Sequence, residues 1–184
     1  RTVHFLKSSR TGQLLADAAA MVQSEDPAGE KWRGMQMFFE HRVRADDGRM
    51  KKVYQYFQKN LEDLLMTLKG TGAQTIVCSL GSNLRGVAPF ASLHHAALSA
   101  EDQLKWHEIY QAGVTNETEG NYAAAIQQYK AAAQIDDDYA DLHFRLGRCY
   151  LALSEHAAAR ESLIRARDLD TLRFRPDTRI NEII

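Results

Sequence analysis

The chain has 184 residues, of which 45% are apolar, enough to bury a core in one domain or two small ones. Its 23 Lys and Arg nearly cancel 24 Asp and Glu for a net charge of -1 at pH 7, and no long basic stripe speaks for nucleic acid. No apolar run approaches the ~20 residues of a membrane span.

Strand propensity appears first at Thr2-Val3-His4-Phe5-Leu6, and only weakly. The Ala- and Leu-rich run Thr11–Gln23 reads as a helix, with Ser9 or Thr11 as its N-cap and Pro27 beyond its end. Lys31–Val43 reads as a second helix, with Trp32, Met35, Phe38, Phe39 and Val43 on a broad apolar face. The third is the plainest: Val53, Phe57, Leu61, Leu64 and Leu68 recur at helical spacing, and Gly70 and Gly72 stop the helix.

Directly after those glycines comes Thr75-Ile76-Val77-Cys78-Ser79-Leu80, short, β-branched and apolar on both faces. Helix, glycine turn and apolar run is the pattern of a strand entering a buried parallel sheet, so a strand is predicted at 75–80. One strand is not a sheet, and its partners are missing from the sequence. The expectation is therefore an orphan strand in a fragment of a larger α/β domain, which would pair with Thr2–Leu6, lie under helices, or self-associate with a second copy.

The loop that follows gathers Ser79, Ser82, Asn83, Ser92, His94 and His95. A Ser–His pair is the raw material of a nucleophile and its base. No partner carboxylate or elbow motif accompanies it, so these residues read as a turn and a surface connection, and no catalytic residue is assigned. His4, His41, His107, His143 and His156 are scattered without metal-ligand spacing and read as surface or capping residues. No Gly-rich phosphate loop is present, and neither a metal nor a cofactor is expected. Cys78 and Cys149 both fall in apolar stretches and read as buried free thiols.

From Ser99, which opens a capping-box-like Ser-Ala-Glu-Asp, the chain becomes periodic. Gly113 and Gly147 lie 34 residues apart, and at the same spacing Ala123-Ala124-Ala125 recurs as Ala157-Ala158-Ala159, Ala132 as Ala166, Ile135 as Leu169 and Asp136 as Asp170. A fixed period of this length marks stacked helical hairpins, because one hairpin cannot bury its apolar face alone. Gly and Ala let antiparallel helices approach, while Tyr122, Tyr129, Leu146, Tyr150 and Leu163 fill the space around the seam. The acidic run Asp136-Asp137-Asp138 reads as a solvated turn between helices. The fold class expected is mainly α: an N-terminal helical segment over 1–98 carrying the orphan strand, two hairpin repeats over 99–173, and a tail over 174–184.

These two units resemble tetratricopeptide repeats. Leu146, Gly147, Tyr150, Ala159, Leu163, Ala166 and Leu169 fall on the family pattern in the second unit. Ile109, Ala112, Gly113, Ala125, Tyr129, Ala132 and Ile135 do so in the first. Asn116 stands where the pattern has Tyr, and Asp137 and Thr171 stand where it has Pro. The resemblance implies a protein-interaction module whose first helices line a groove for a protein or peptide partner. The matching positions are Tyr110, Val114, Phe144, Arg145, Arg148 and Leu151, with His107, Glu117 and Asp141 beside them. The family's carboxylate clamp of Lys and Asn is not matched, since Tyr110 and Val114 replace it. A second resemblance covers 54–94: Tyr56-Phe57, Asn60-Leu61, Asn83-Leu84 and Pro89-Phe90-Ala91-Ser92 are similar to the middle of bacterial SGNH-type (GDSL-like) hydrolases with a tetratricopeptide insertion. It implies, as the alternative, the central part of an esterase whose Gly-Asp-Ser and His blocks lie elsewhere.

Overall fold

A computed structural model describes residues 34–184, so the expected helix at Thr11–Gln23 and the segment Thr2–Leu6 lie outside the described residues. Where an α-helix is expected over 31–43, Gly34–His41 forms a 3-10 helix. The compact unit Phe38–Ile184 holds the six α-helices described below.

The helix α1 spans Gly48–Gly70. Asp47 caps it by accepting the Arg49 N–H, and the chain leaves it through Gly72, whose φ of 74° is open to glycine at little cost. The next residues, 73–83, form neither helix nor strand, and 71–81 are exposed throughout, with Ile76 88% exposed. The strand expected at 75–80 does not form, so the α/β reading of this region and self-association through that strand lose their basis. Local β propensity is only a fit to a pleated, half-buried surface, and nothing here supplies that surface. Cys78 sits in this stretch and is exposed, contrary to the expectation of a buried thiol.

The repeats form two helical hairpins. In the first, α2 (Ala100–Thr118) packs against α3 (Tyr122–Ala133). In the second, α4 (Ala140–Ala152) packs against α5 (His156–Leu169), and α3 also meets α4, which joins the hairpins. Ser99 caps α2 by accepting the Asp102 N–H. A Cβ on Gly113 would lie 2.5 Å from Tyr129 Cε1, and one on Gly147 would lie 2.6 Å from Leu163 Cγ. Tyr129 and Leu163 are themselves repeat equivalents, so each hairpin closes by one bulky side chain lying in the notch of one glycine. Trp106, Tyr129, Leu142 and Cys149 are fully buried around this seam, each of the large apolar side chains worth about 1.5–3 kcal/mol. Burial pushes the Cys149 thiol up to about 11, which leaves it inert.

The turns inside the two hairpins match bond for bond. Glu119, Gly120 and Asn121 donate to the carbonyls of Thr115, Glu117 and Asn116, and Leu153, Ser154 and Glu155 donate to those of Cys149, Leu151 and Tyr150. This geometry requires a left-handed residue in the middle. Gly120 supplies it at φ 80°, whereas Ser154 is forced to φ 63°.

A short helix, α6 (Thr178–Ile183), packs on α1, capped by Asp177, which also accepts the Tyr54 hydroxyl at 2.5 Å. Burial, then that carboxylate, pushes the Tyr54 phenol up to about 12. Between α1 and α2 the chain runs across the ends of both hairpins as a strap. Asp170, after α5, accepts the Phe90 N–H at 2.9 Å, the Ala91 N–H at 3.2 Å and the Leu172 N–H at 3.1 Å, and pairs with Arg175 at 3.0 Å. Its repeat equivalent Asp136 accepts the His95 N–H at 3.3 Å and the Asp138 N–H at 3.1 Å, with His94 Nδ1 at 2.6 Å. Between them the Ser92 hydroxyl accepts the Asp141 N–H at the start of α4. Asp136 is thus buried, not part of a solvated turn. His94 is half-buried against Trp106 and Tyr139, and His143, expected as a surface or capping residue, is buried.

Two substitutions test the repeat geometry. Gly147→Leu overpacks the seam and should lower stability by roughly 1–3 kcal/mol. Ser154→Gly relieves the left-handed strain and should raise it by up to about 1 kcal/mol. Urea unfolding followed by circular dichroism checks both, and the two shifts should have opposite sign.

Candidate functional site

The first helices of the two hairpins, α2 and α4, bring most of the expected face together. Trp106 and Tyr110, one turn apart on α2, stack at 4.6 Å with 14° between their planes. That stack directs the Tyr110 hydroxyl to the Asp141 carboxylate on α4, where it donates a short hydrogen bond. Arg145, one turn beyond Asp141, places its guanidinium 5.9 Å from the Tyr110 ring centroid and donates to Asp141 at 2.8 Å. Its other arm reaches back to α2, where Glu117 accepts at 3.0 Å.

Glu117 is the hub. It is buried, and its carboxylate also accepts the Tyr129 hydroxyl from α3 at 2.7 Å. A buried carboxylate needs this many donors, because an uncompensated charge in the interior costs several kcal/mol. Burial, then the bond to a carboxylate, raises the pKa of both Tyr110 and Tyr129, so both stay protonated donors. Burial would lower the Arg145 pKa, but the bonds to Asp141 and Glu117 outweigh it and hold the guanidinium charged. Arg145 is therefore a fastener between hairpins as well as part of the face.

Arg148 differs. Its side chain is 57% exposed, and among the described residues its one ion pair is a loose one, 3.5 Å from Glu117 Oε1, while the closer Tyr129 and Arg145 both bond Oε2. The remaining expected residues divide. Val114 is half-buried and packs on the main core cluster, and Leu151 is half-buried between that cluster and a second one. Phe144 belongs to the second cluster, buried with Leu163 and Ala166 under Leu84 of the strap. His107 is exposed. The structure thus gathers Tyr110, Asp141, Glu117, Arg145 and Arg148 into one network and places Phe144 in a separate apolar cluster.

The serines and histidines of the loop after α1 do not assemble a nucleophile and base. Ser92 is taken by the Asp141 amide, His94 by Asp136, and Asn83 accepts the Gly86 N–H to make a turn. Among the described residues no group of three His, Cys, Asp or Glu side chains is placed to hold a metal ion, and no described helix is long and apolar enough to cross a membrane. The features that residue patterns did not reveal are the Glu117 hub and the aspartate clamps. For the clamps a signal existed, since Asp136 and Asp170 recur at the repeat period, although the triple Asp looked like surface.

Residues 118–172 match the family model of the tetratricopeptide repeat, which takes in the end of α2 and all of α3, α4 and α5. With the paired hairpins, this establishes tetratricopeptide-like repeats in that part of the chain. No curated protein and no solved structure matches the chain. The likeness of 54–94 to SGNH-type hydrolases has no counterpart in these comparisons.

The two arginines should separate in a stability measurement. Arg145→Ala leaves Glu117 and Asp141 short of their closest cation and should cost about 1.5–3 kcal/mol. Arg148→Ala, on an exposed side chain, should stay within about 0.5 kcal/mol. Equal losses in chemical denaturation would contradict the division between fastener and free surface.

Proposed function

We propose that the chain is a protein-interaction module whose α2–α4 face binds an extended segment of an acidic partner. Repeats of this family match are in general platforms for other chains, and nothing among the described residues assembles a reacting centre. The observation that carries the acidic preference is Arg148: a guanidinium more than half exposed, held to Glu117 only by a 3.5 Å contact of its Nε, so that its terminal N–H groups face away from that pair. A planar fork with open N–H donors pairs bidentately with a carboxylate, at the strength of a charge-assisted hydrogen bond. Val114, Tyr110 and Leu151 on the same two helices offer apolar and aromatic area, and such area supplies most of the binding energy in contacts of this kind. Arg145 holds the two first helices in register, so the partner meets a face already ordered.

The test is selection of binders from a library of displayed random peptides. The selected set should be enriched in Asp or Glu; Arg148→Glu should weaken those peptides by at least about tenfold, and Arg148→Ala should weaken them too with the melting temperature unchanged. Selected peptides without acidic enrichment, or acidic ones that bind Arg148→Glu as well as the parent, would refute the proposal.

A further inference from the structure

His143, near the start of α4, is a buried titratable group that the α2–α4 face does not use. Three polar atoms meet its Nε2: the Asp137 carbonyl oxygen at 2.8 Å, Asp137 Oδ1 at 3.1 Å and Arg165 Nε of α5 at 3.2 Å. The first two accept hydrogen bonds and the third donates one. A ring nitrogen carries either a proton or a lone pair, so it cannot satisfy both sides at once.

Two bonding states follow. With a lone pair, Nε2 accepts the Arg165 Nε–H, and the ring proton stays on Nδ1. With a proton, Nε2 donates to Asp137 and no longer has anything to offer Arg165. Arg165 favours the first state while the ring is neutral, because it also pairs with the Asp137 carboxylate and donates to the Asp137 carbonyl at 3.2 Å. One permanently charged fork thereby closes on both of its neighbours. Proton uptake instead sets a second cation against that guanidinium.

Among the described residues, the charges that act on the ring are Asp137 and Asp138 of the turn before α4 and Arg165 of α5. His143 also lines an open cleft with Asp137, Tyr150, Glu161, Ser162 and Arg165, which gives a solvent proton its way in. Lys130 of α3 stands 5.8 Å from the centroid of the Tyr150 ring. Burial is the largest influence and pushes the His143 pKa below the ordinary histidine value, against the pull of the Asp137 oxygens. The same turn begins with Asp136, which accepts the His95 N–H of the strap and the Asp138 N–H. A change of partner at Asp137 therefore acts where the two hairpins join and where the strap is held.

We infer that His143, Asp137 and Arg165 form a proton-operated switch at the joint between the hairpins, in which proton uptake at Nε2 hands the ring from Arg165 to Asp137 and frees the Arg165 Nε–H. The switch does not rest on the acidic-partner reading. Because the folded-state pKa lies below the unfolded one, the unfolded chain takes the proton first. Folding therefore weakens as pH falls from about 6.5 toward the folded value.

Nitrogen-resolved imidazole spectra of the full chain across the histidine range test the inference. At neutral pH, His143 should show a protonated Nδ1 and a bare Nε2. On acidification Nε2 should gain the proton, and the Arg165 Nε–H signal should move with the same midpoint. Arg165→Gln removes the opposing cation and should shift that midpoint upward with the helical signal unchanged. In chemical denaturation, the unfolding constant of the parent should rise relative to that of His143→Gln by up to about tenfold per pH unit below about pH 6.5. A proton already on Nε2 at neutral pH, a midpoint indifferent to Arg165→Gln, or parallel pH curves for the parent and His143→Gln would overturn it.

Discussion

Two buried carboxylates, Asp136 and Asp170, hold the rest of this unit in place. Each stands just after the second helix of its hairpin, at the same place in the repeat, and each turns its oxygens toward backbone N–H groups. A pair of hairpins is fewer than such arrays usually need to stand alone, because the end hairpins expose apolar sides that a longer stack would cover. The strap over 84–95 meets that need. Bound to Asp170 at one end and Asp136 at the other, it brings Leu84 over the Phe144–Leu163–Ala166 cluster and Phe90 against Phe174. The same repeat period that builds the hairpins thus also provides two equivalent points of attachment for a segment that is not a repeat.

The candidate face depends on that arrangement. The strap's Ser92 accepts the Asp141 N–H, fixing the first turn of α4, and the Asp141 carboxylate then receives Tyr110 and Arg145. Glu117 closes the circuit from α2 through Tyr129 of α3. Tyr110, Asp141, Arg145 and Glu117 join helices, which leaves Arg148 as the exposed charged group of this network. Order in the scaffold and reactivity at the surface are in this case divided between two arginines three residues apart.

How much of this was legible in the residues differs by feature. The 34-residue recurrence of Gly113 and Gly147 announced the hairpin seams, and their notches receive Tyr129 and Leu163 as close approach requires. Helix α1 was plain from its spacing and its glycine stop. The run at 75–80 misled because apolar, β-branched composition is necessary for a strand but pairing is what makes one, and pairing is not local. Asp136 looked solvated because it heads three acidic residues in a row, and only its neighbours take that role. The Glu117 hub could not be read at all, since it depends on where Tyr129 and Arg145 arrive from two other helices.

Native-state hydrogen exchange at the Phe90, Ala91 and His95 amides tests the central claim most directly. If Asp136 and Asp170 clamp the strap as part of the folded unit, these amides should exchange only with global unfolding, as slowly as the middle of α4. Exchange at the rate of the exposed segment 73–80 would contradict it, and would mean that the two hairpins stand without the strap.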